Sequence, residues 1–352
     1  MVQRDTAQFV SSGVYKVMTV IIAILVFNLI VFVHEGGHFV AARLGGIKVV
    51  EFALGMGPKI IGKKIGETMY SLRAFPIGGF CLMLGEDEEK KDPGAFNNSP
   101  LKSRIAAVAA GPLVNLVVAI LIYSLVIAPV ATPIIGQVTK GMPAEKAGIV
   151  AGDTIIDIND VKISNWQEMK PEIAKHEGEQ ITVTLENKGV QRDVQITPIK
   201  NPNTNDVIIG VAQKVKLGGF SLTNGLKTTA TITKMMLSFL GQLVMGKADA
   251  GEVSGPISII VYMNEAAKTG LISVLYITAI ISLNLAILNL LPIPALDGGR
   301  LLFMFVELFR RKPLPAEKEG MVHFVGLVAL MALSIFLMYR DIIKFNLINI
   351  FR

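Results

Sequence analysis

The sequence predicts an α-helical polytopic membrane protein with about four transmembrane helices and one inserted α/β domain. Of its 352 residues, 51% are hydrophobic, and the mean hydropathy of +0.54 is too high for an ordinary soluble protein. Four apolar runs are long enough to cross a bilayer. Between the second and third runs, the composition changes to that of a soluble α/β domain.

The four apolar runs cover residues 17–44, 105–130, 271–291 and 321–339. Lys and Arg cluster between the first and second runs and between the third and fourth. Because short cytoplasmic loops are rich in these residues, we expect both termini and the middle region outside. No small-residue cleavage site interrupts the first run, which predicts an uncleaved span. The net charge of +6 fits this topology better than nucleic-acid binding, since no basic stripe with interleaved aromatic residues occurs.

The first run contains the pattern H-E-x-x-H at His34, Glu35 and His38. Residues four apart lie on one face of a helix, so both imidazoles can bind one tetrahedral zinc ion, with Glu35 beside it as general base. Such a pattern also occurs by chance, but ionisable groups inside a membrane span are costly and mark functional sites. The sequence therefore predicts a zinc site of the metalloprotease type, in the cytoplasmic third of the bilayer.

Residues 45–85 alternate loosely and contain frequent glycines, which predicts short strands or hairpins. The stretch 75–84 is apolar but too short and too broken to span a membrane. We expect a re-entrant strand beside the zinc site, because non-helical backbone at membrane depth must be buried in protein or line a cavity. An exposed edge there could add a substrate strand by backbone pairing. The alternative is an interfacial loop packed on lipid headgroups.

Residues 133–216 predict the α/β domain, with strands at 134–138, 154–159, 180–186 and 193–198 and helices at 143–147 and 166–176. The run 141–159 resembles a circularly permuted bacterial PDZ domain. In such domains a strand edge and a nest of N–H groups can hold a peptide terminus. The alternative is a steric filter that binds no peptide. Residues 217–270 predict an amphipathic segment, either lying in the outer membrane interface or serving as a linker.

Two histidines leave a catalytic zinc ion one protein ligand short, and a carboxylate at a similar depth could supply the third. Asp297 is the candidate, because Pro292 and Pro294 break the third apolar run before it and two glycines follow it. An aspartate that caps the next helix would account for the same pattern. Asn284 and Asn289 could pair with a substrate backbone or hold helices together.

Six motifs occur in one order along the chain: the H-E-x-x-H pattern, residues 76–80, residues 111–115, the PDZ-like insert, residues 254–257 and residues 289–299. Together they resemble the bacterial site-2 protease family of the RseP/RasP type over nearly the whole chain. The resemblance implies that His34, His38 and Asp297 bind one zinc ion per chain and that Glu35 is the catalytic base. It also implies that Asn289 and the β segment with Gly78, Gly79 and Phe80 hold the substrate extended.

The resemblance further implies an intramembrane zinc metalloprotease of the bacterial cytoplasmic membrane. Its substrates would be single-span membrane proteins, such as anti-sigma factors and remnant signal peptides. The PDZ-like domain and both termini would face outward, and the zinc site would lie toward the cytoplasm. The expected division is a first membrane part (1–132), the PDZ-like domain (133–216), an amphipathic segment (217–270) and a second membrane part (271–352). The alternatives are a catalytically inactive membrane-tethered PDZ scaffold and a membrane metal-binding or transport protein.

Overall fold

Two compact units make up the chain, one formed by Met1–Ile122 and Gly225–Arg352 and the other by Tyr123–Asn224. We call them the helical unit and the inserted unit. The structure, a computed structural model, describes residues 2–125, 132–139, 141–200, 207–214, 219–247, 253–312 and 316–345. In chain order the elements are α1 (Val2–Leu44), β1 (Val49–Ile65), β2 (Thr68–Met83), α2 (Leu101–Leu125), β3 (Ile135–Val138), α3 (Pro143–Lys146), β4 (Thr154–Ile158), β5 (Val161–Lys162), α4 (Trp166–Ala174), β6 (Ile181–Asn187), β7 (Val190–Ile196), β8 (Ile199–Lys200), β9 (Val207–Ile208), β10 (Val211–Gln213), α5 (Leu222–Val244), α6 (Pro256–Thr269), α7 (Leu271–Leu290), α8 (Asp297–Arg310) and α9 (Ala316–Lys344).

Four helices of the described chain are long and apolar enough to cross a membrane. They are Val20–Leu44 within α1, Leu101–Leu125, Leu271–Leu290 and Lys318–Lys344 within α9. The four predicted spans are therefore confirmed. The second helix starts four residues before the predicted run and ends at Leu125, while residues 126–130 of that run lie outside the described residues.

Small residues allow α1 and α2 to pack closely and antiparallel. A Cβ atom at Gly37 would lie 2.7 Å from the carbonyl oxygen of Ala110, and one at Gly45 would lie 3.1 Å from the Cβ of Ser103. Close backbone approach through glycine and alanine is a common way for transmembrane helices to associate. It brings the third turn of α2, at Ala110 and Gly111, against the H-E-x-x-H turn of α1.

The strands β1 and β2 each bend back, so that they form four segments of one small sheet. Residues 51–54 pair with residues 79–82 on one side and with residues 69–72 on the other, and residues 59–65 pair with residues 68–73. The bends contain Gly55, Gly57 and Gly78, whose φ angles are +86°, +83° and +85°, values that glycine adopts without steric cost. Within the described chain, residues 79–83 pair with a strand on one side only. We call them the edge segment.

Contacts with α1 fix where this sheet lies. The side-chain amide of Asn28 donates to the carbonyl oxygen of Pro76 at 2.6 Å, and the rings of Phe32 and Phe52 meet edge to face with centroids 5.4 Å apart. Asn28 and Phe32 are four residues apart and so share one face of α1. The same face continues to Glu35 one turn later, which places the edge segment next to the H-E-x-x-H turn.

A buried carboxylate connects α9 to α6. Asp341 is 3% exposed and accepts hydrogen bonds at 2.8 Å from both the N–H and the hydroxyl of Ser258 and at 3.3 Å from the N–H of Gly255. Negative charge at a helix N-terminus is stabilising, and here it caps α6. Because α6 also contacts α1 and α7, this capping interaction joins the last span to the rest of the helical unit.

The inserted unit contains a four-stranded antiparallel sheet in the order β5-β4-β6-β7, together with two short strand pairs, β3 with β10 and β8 with β9. Alternate residues of β6, namely Ile181, Val183 and Leu185, are fully buried, as expected for a strand with one face on the core. The predicted strands and helices of this region are confirmed to within a few residues.

A buried carboxylate in the inserted unit, paired with the partly exposed Arg192, makes the stability of this unit depend on pH. The Asp153 carboxylate accepts hydrogen bonds from the N–H of Val150 at 3.0 Å, from Asn187 at 2.6 Å and from Arg192 at 2.6 Å. Burial alone would raise the pKa of Asp153, but these hydrogen bonds outweigh it and hold the pKa below its ordinary value. A lowered pKa means that the charged carboxylate stabilises the folded state above about pH 4. This stabilisation is lost as the pH falls through the folded-state pKa.

We expect Asp153→Asn to destabilise the inserted unit by about 2 kcal/mol at pH 7, because three hydrogen bonds lose their buried, charged acceptor. The substitution should also flatten the decrease in stability between about pH 5 and pH 3. Trp166 is the only tryptophan of the chain and lies in α4, so its fluorescence during unfolding of the full chain reports on this unit. Asp193→Asn, on the exposed face of β7, is the control, and equal losses in both variants would contradict the assignment.

Candidate active site

The third candidate metal ligand lies at the turn between α7 and α8. A Cβ atom at Gly298 would lie 2.1 Å from the carbonyl oxygen of Leu291, and one at Gly299 would lie 2.5 Å from that of Ile293. Both glycines are therefore required by this tight turn, as the sequence predicted. The residue at the N-cap is Leu296, and α8 begins at Asp297 itself. The Asp297 side chain does not cap the helix and is directed toward α1.

Three potential metal-ligand atoms converge between α1 and α8. The Nε2 atoms of His34 and His38 lie 3.2 Å apart, and Oδ2 of Asp297 lies 3.2 Å from the first and 3.5 Å from the second. Both histidines are 6% exposed. Among the described residues, these three form the group of His, Cys, Asp and Glu side chains able to hold a metal ion.

The spacing of these atoms fits a zinc ion. Ligand atoms about 2.0–2.1 Å from a tetrahedral zinc lie about 3.3 Å from one another, close to the three observed separations. Oδ2 of Asp297 is buried and makes no hydrogen bond with good geometry within the described chain. Three lone pairs directed at one point repel each other unless a cation lies between them. The residues present therefore fit a zinc ion.

Residues of α2 orient both imidazole rings. Nδ1 of His38 lies 2.8 Å from the carbonyl oxygen of Ala107, and an N–H at Nδ1 leaves the Nε2 lone pair for a metal. Nδ1 of His34 lies 3.2 Å from the side-chain amide of Asn115, which is fully buried. A carboxamide can present its oxygen to the ring and then accepts the Nδ1 proton. Such contacts fix the tautomer and orientation of metal-binding histidines.

A glycine of α2 makes room for the second histidine. A Cβ atom at Gly111 would lie 2.2 Å from Nε2 of His38 and 2.5 Å from its Cε1. Gly36, by contrast, has no atom within 4 Å of the position of such a Cβ. The imidazole of His38 therefore packs directly on the backbone of α2.

Glu35 lies between the histidines in sequence and borders a cleft of about 440 Å³. The backbone N–H of Cys81 in the edge segment points to its carboxylate, and its Cγ is 3.7 Å from the position of a Cβ at Gly79. The cleft contains the three candidate ligands, Glu35 and the side of the edge segment that no strand of the described chain covers. A carboxylate, a candidate metal site and a strand edge that pairs with no other strand of the described chain thus share one cavity.

The predicted substrate-binding residues divide into two groups. Phe80 and Asn289 line the cleft, and Gly79 is in van der Waals range of Glu35. Gly78 lies at the bend of β2 against Met56, and Asn284 is half-buried on α7, one and a half turns before Asn289. Neither Gly78 nor Asn284 lines the cleft.

Sequence reasoning missed two residues that support the site. The first is Asn115, which the structure places beside His34. The second is His323, whose Nδ1 accepts a hydrogen bond at 2.8 Å from the N–H of Ala295. Ala295 has a φ angle of +73°, which is unfavourable for a residue with a side chain. His323 therefore holds the strained turn that precedes Asp297.

A buried His-His-Asp group beside a glutamate, in a chain with four potential membrane spans, defines a membrane-embedded zinc metalloprotease. The sequence pattern of Peptidase family M50 matches residues 22–333 of this chain. The chain belongs to this family, and the resemblance to site-2 proteases is confirmed.

Individual relatives align with this chain over nearly their whole length. The protein CA_C1796 of Clostridium acetobutylicum, a zinc metalloprotease by name, is 39% identical over 330 residues, covering 92% of this chain and 97% of the relative. Zinc metalloprotease RasP of Geobacillus kaustophilus is 34% identical over 94% of this chain and 99% of its own length. The regulator of sigma-W protease RasP of Bacillus subtilis is 30% identical over 93% and 98%. A solved PDZ domain of an SdrC-like protein from Listeria innocua covers 23% of this chain and 92% of that chain, with 18% identity and a TM-score of 0.22.

Proposed function

We propose that His34, His38 and Asp297 bind one zinc ion per chain and that Glu35 is the catalytic base of peptide hydrolysis. The observation that carries this assignment is the convergence of three buried ligand atoms, 3.2–3.5 Å apart, in the cleft that Glu35 borders. The alternatives of a metal transporter and an inactive scaffold are not favoured. Neither explains why a carboxylate base and a free strand edge lie beside the metal site.

The proposed reaction is hydrolysis of a peptide bond held in the cleft. A bound zinc ion supplies a Lewis acid that polarises the scissile carbonyl and acidifies a water molecule. Glu35 takes the proton of the attacking water and delivers it to the leaving nitrogen. The N–H of Cys81 orients the Glu35 carboxylate, while Ala107 and Asn115 keep the imidazole rings in the ligand orientation.

The substrate must be extended when it is cut, because the carbonyl groups of a helix are already hydrogen-bonded. We propose that the edge segment receives the substrate as an added strand, with Phe80 and Gly79 against it and Asn289 bonding its backbone from the opposite wall. Gly78 shapes the bend of the receiving strand, and Asn284 would meet the substrate farther along α7. Main-chain pairing of this kind supplies affinity without requiring a particular sequence.

Single-span membrane proteins are the proposed substrate class, cut within or near their transmembrane segments. The name of the Bacillus subtilis relative refers to regulation of a sigma factor, which supports anti-sigma factors as one group. Remnant signal peptides are a second group, since they too are short single spans. Both would reach the cleft from the lipid bilayer.

We also propose the orientation that the Lys and Arg distribution predicts, in a bacterial cytoplasmic membrane. The zinc site then lies toward the cytoplasm, and the termini and the PDZ-like domain lie outside. In this arrangement the hairpin of β1 and β2 is re-entrant, residues 217–270 lie at the outer interface, and the parts 1–132 and 271–352 form the membrane domain. The PDZ-like domain of residues 133–216 would bind a peptide terminus or exclude bulky substrates.

A membrane proteome comparison tests the substrate class. Cells whose own copy carries Glu35→Gln should accumulate single-span membrane fragments that cells with the unsubstituted protein clear. Glu179→Gln, an exposed residue of the inserted unit, is the matched control. Accumulation of multi-span or soluble proteins alone would contradict the proposed class.

A further inference from the structure

The side of the edge segment that pairs with no strand of the described chain faces two carboxylates. The N–H of Cys81 points to Glu35, and the N–H of Met83 donates to Oε2 of Glu86 at 3.2 Å. N–H groups two residues apart along a strand point to the same side. The Met83 N–H therefore points to the side where a strand would be added, and Glu86 takes the position of a substrate carbonyl there, while the Cys81 N–H stays with Glu35.

Glu86 is also bound to the helix that carries Asp297. Nη1 of Arg300 lies 2.7 Å from Oε1 of Glu86, and Nη2 lies 2.6 Å from Oδ1 of Asp87. The side chains of Glu86 and Arg300 are 13% and 20% exposed. Arg300 follows Asp297 by one turn of α8. The two oxygens of Glu86 thus connect the edge segment to α8, the helix that begins with Asp297.

The surroundings of Glu86 permit it to move. The cleft that Glu35 borders also borders Glu86, so its side chain has space beside the edge segment. A second cavity, of about 320 Å³, also borders Glu86 and contains Arg300. Burial raises the pKa of Glu86, although Arg300 and the Met83 N–H oppose this. The carboxylate therefore gains hydration when it leaves the edge segment and can keep Arg300 as its partner.

We propose that Glu86 is an internal competitor of the substrate, which occupies the Met83 N–H until an extended backbone displaces it. This inference rests on the proposed addition of a substrate strand to the edge segment. Its consequence is that the edge is free in only a fraction of the molecules, and the apparent affinity for substrate is reduced by that fraction. The competitor also prevents the uncovered edge from pairing with unsuitable strands.

Peptide binding to the full-length Glu35→Gln protein in detergent tests the proposal. The probe is a synthetic single-span peptide with a Leu/Ala core, a central Asn-Gly pair and terminal lysines. Additional Glu86→Ala should lower the dissociation constant about 5- to 10-fold, as expected if the edge is free in roughly a tenth to a fifth of the molecules. Glu86→Gln keeps an acceptor but loses its charge, so it should give a smaller gain. Unchanged or weaker binding by Glu86→Ala would overturn the proposal.

Asp87→Asn is the matched control, because it removes a carboxylate from Arg300 without touching the Met83 N–H. Its dissociation constant should stay within twofold of the parent, and an equal gain would assign the effect to Arg300 instead. Amide hydrogen exchange at Met83, without peptide, should be at least tenfold faster in Glu86→Ala and unchanged in Asp87→Asn. Unaltered exchange would also overturn the proposal. Failure of the zinc-loaded, unsubstituted protein to cleave the peptide would instead contradict the proposed function, and the exchange result would stand independently.

Discussion

Glu35→Gln is expected to abolish peptide hydrolysis while leaving the fold and the zinc content unchanged. Glutamine has the shape of glutamate and keeps an oxygen for the Cys81 N–H, so the edge segment and α1 stay in place. It cannot accept the proton of the attacking water or return one to the leaving nitrogen. Because one side chain performs both proton transfers, we expect the cleavage rate to fall about 10⁴-fold, near the upper end of the effects of general acid–base catalysis.

The measurement is cleavage of a single-span peptide by purified protein, with zinc content determined by elemental analysis of the same sample. Glu67→Gln is a suitable control, since Glu67 is an exposed glutamate of the same unit whose side chain is 71% exposed. A Glu35→Gln protein that holds zinc and retains a tenth or more of the activity would show that another group is the base.

Gly111→Ala is expected to remove zinc and activity together, although position 111 contributes no ligand. Its Cβ would lie 2.2 Å from Nε2 of His38, whereas ordinary contact begins at 3.4 Å, so the ring has to move by about 1.2 Å. Zinc–nitrogen distances tolerate deviations of only about 0.2 Å. The helices cannot separate easily, because Gly37 and Ala110 are in close contact. We expect zinc affinity to fall at least 100-fold, the upper end of the effects of supporting residues.

Gly36→Ala is the matched substitution, on α1 within the H-E-x-x-H pattern itself. No atom lies within 4 Å of the new methyl group, and alanine favours a helix by about 1 kcal/mol over glycine. Its zinc content and thermal stability should equal or exceed those of the unsubstituted protein. If both variants kept zinc equally against a chelator, the close packing of His38 on Gly111 would be contradicted.

The sequence predicted the spans, the elements of the inserted unit and the three candidate ligands, because each depends on local patterns. Hydrophobic runs, period-two strands and the i, i+4 spacing of His34 and His38 are visible without knowledge of contacts. Asp297 could be predicted because prolines and glycines mark a broken helix, even though its partners His34 and His38 lie more than 250 residues away.

Contacts between distant segments could not be predicted from the sequence. The partner of His34 is Asn115, 81 residues away, and nothing in either local sequence pairs them. The folding back of β1 and β2 into four segments depends on register, which glycines permit but do not specify. Glu86 belongs to a charged, turn-rich stretch of sequence, a composition typical of solvated loops, whereas its side chain is 13% exposed and binds Arg300 and the Met83 N–H. Such partners are set by tertiary packing, which one sequence does not display.

X-ray absorption spectroscopy on the purified Glu35→Gln protein tests the central claim most directly. We predict one zinc ion per chain with nitrogen and oxygen ligands at about 2.0–2.2 Å and imidazole scattering from two histidines. His34→Ala, His38→Ala and Asp297→Ala should each lose that zinc. A sulfur ligand at about 2.3 Å, or a zinc signal that survives the Asp297 substitution unchanged, would contradict the account.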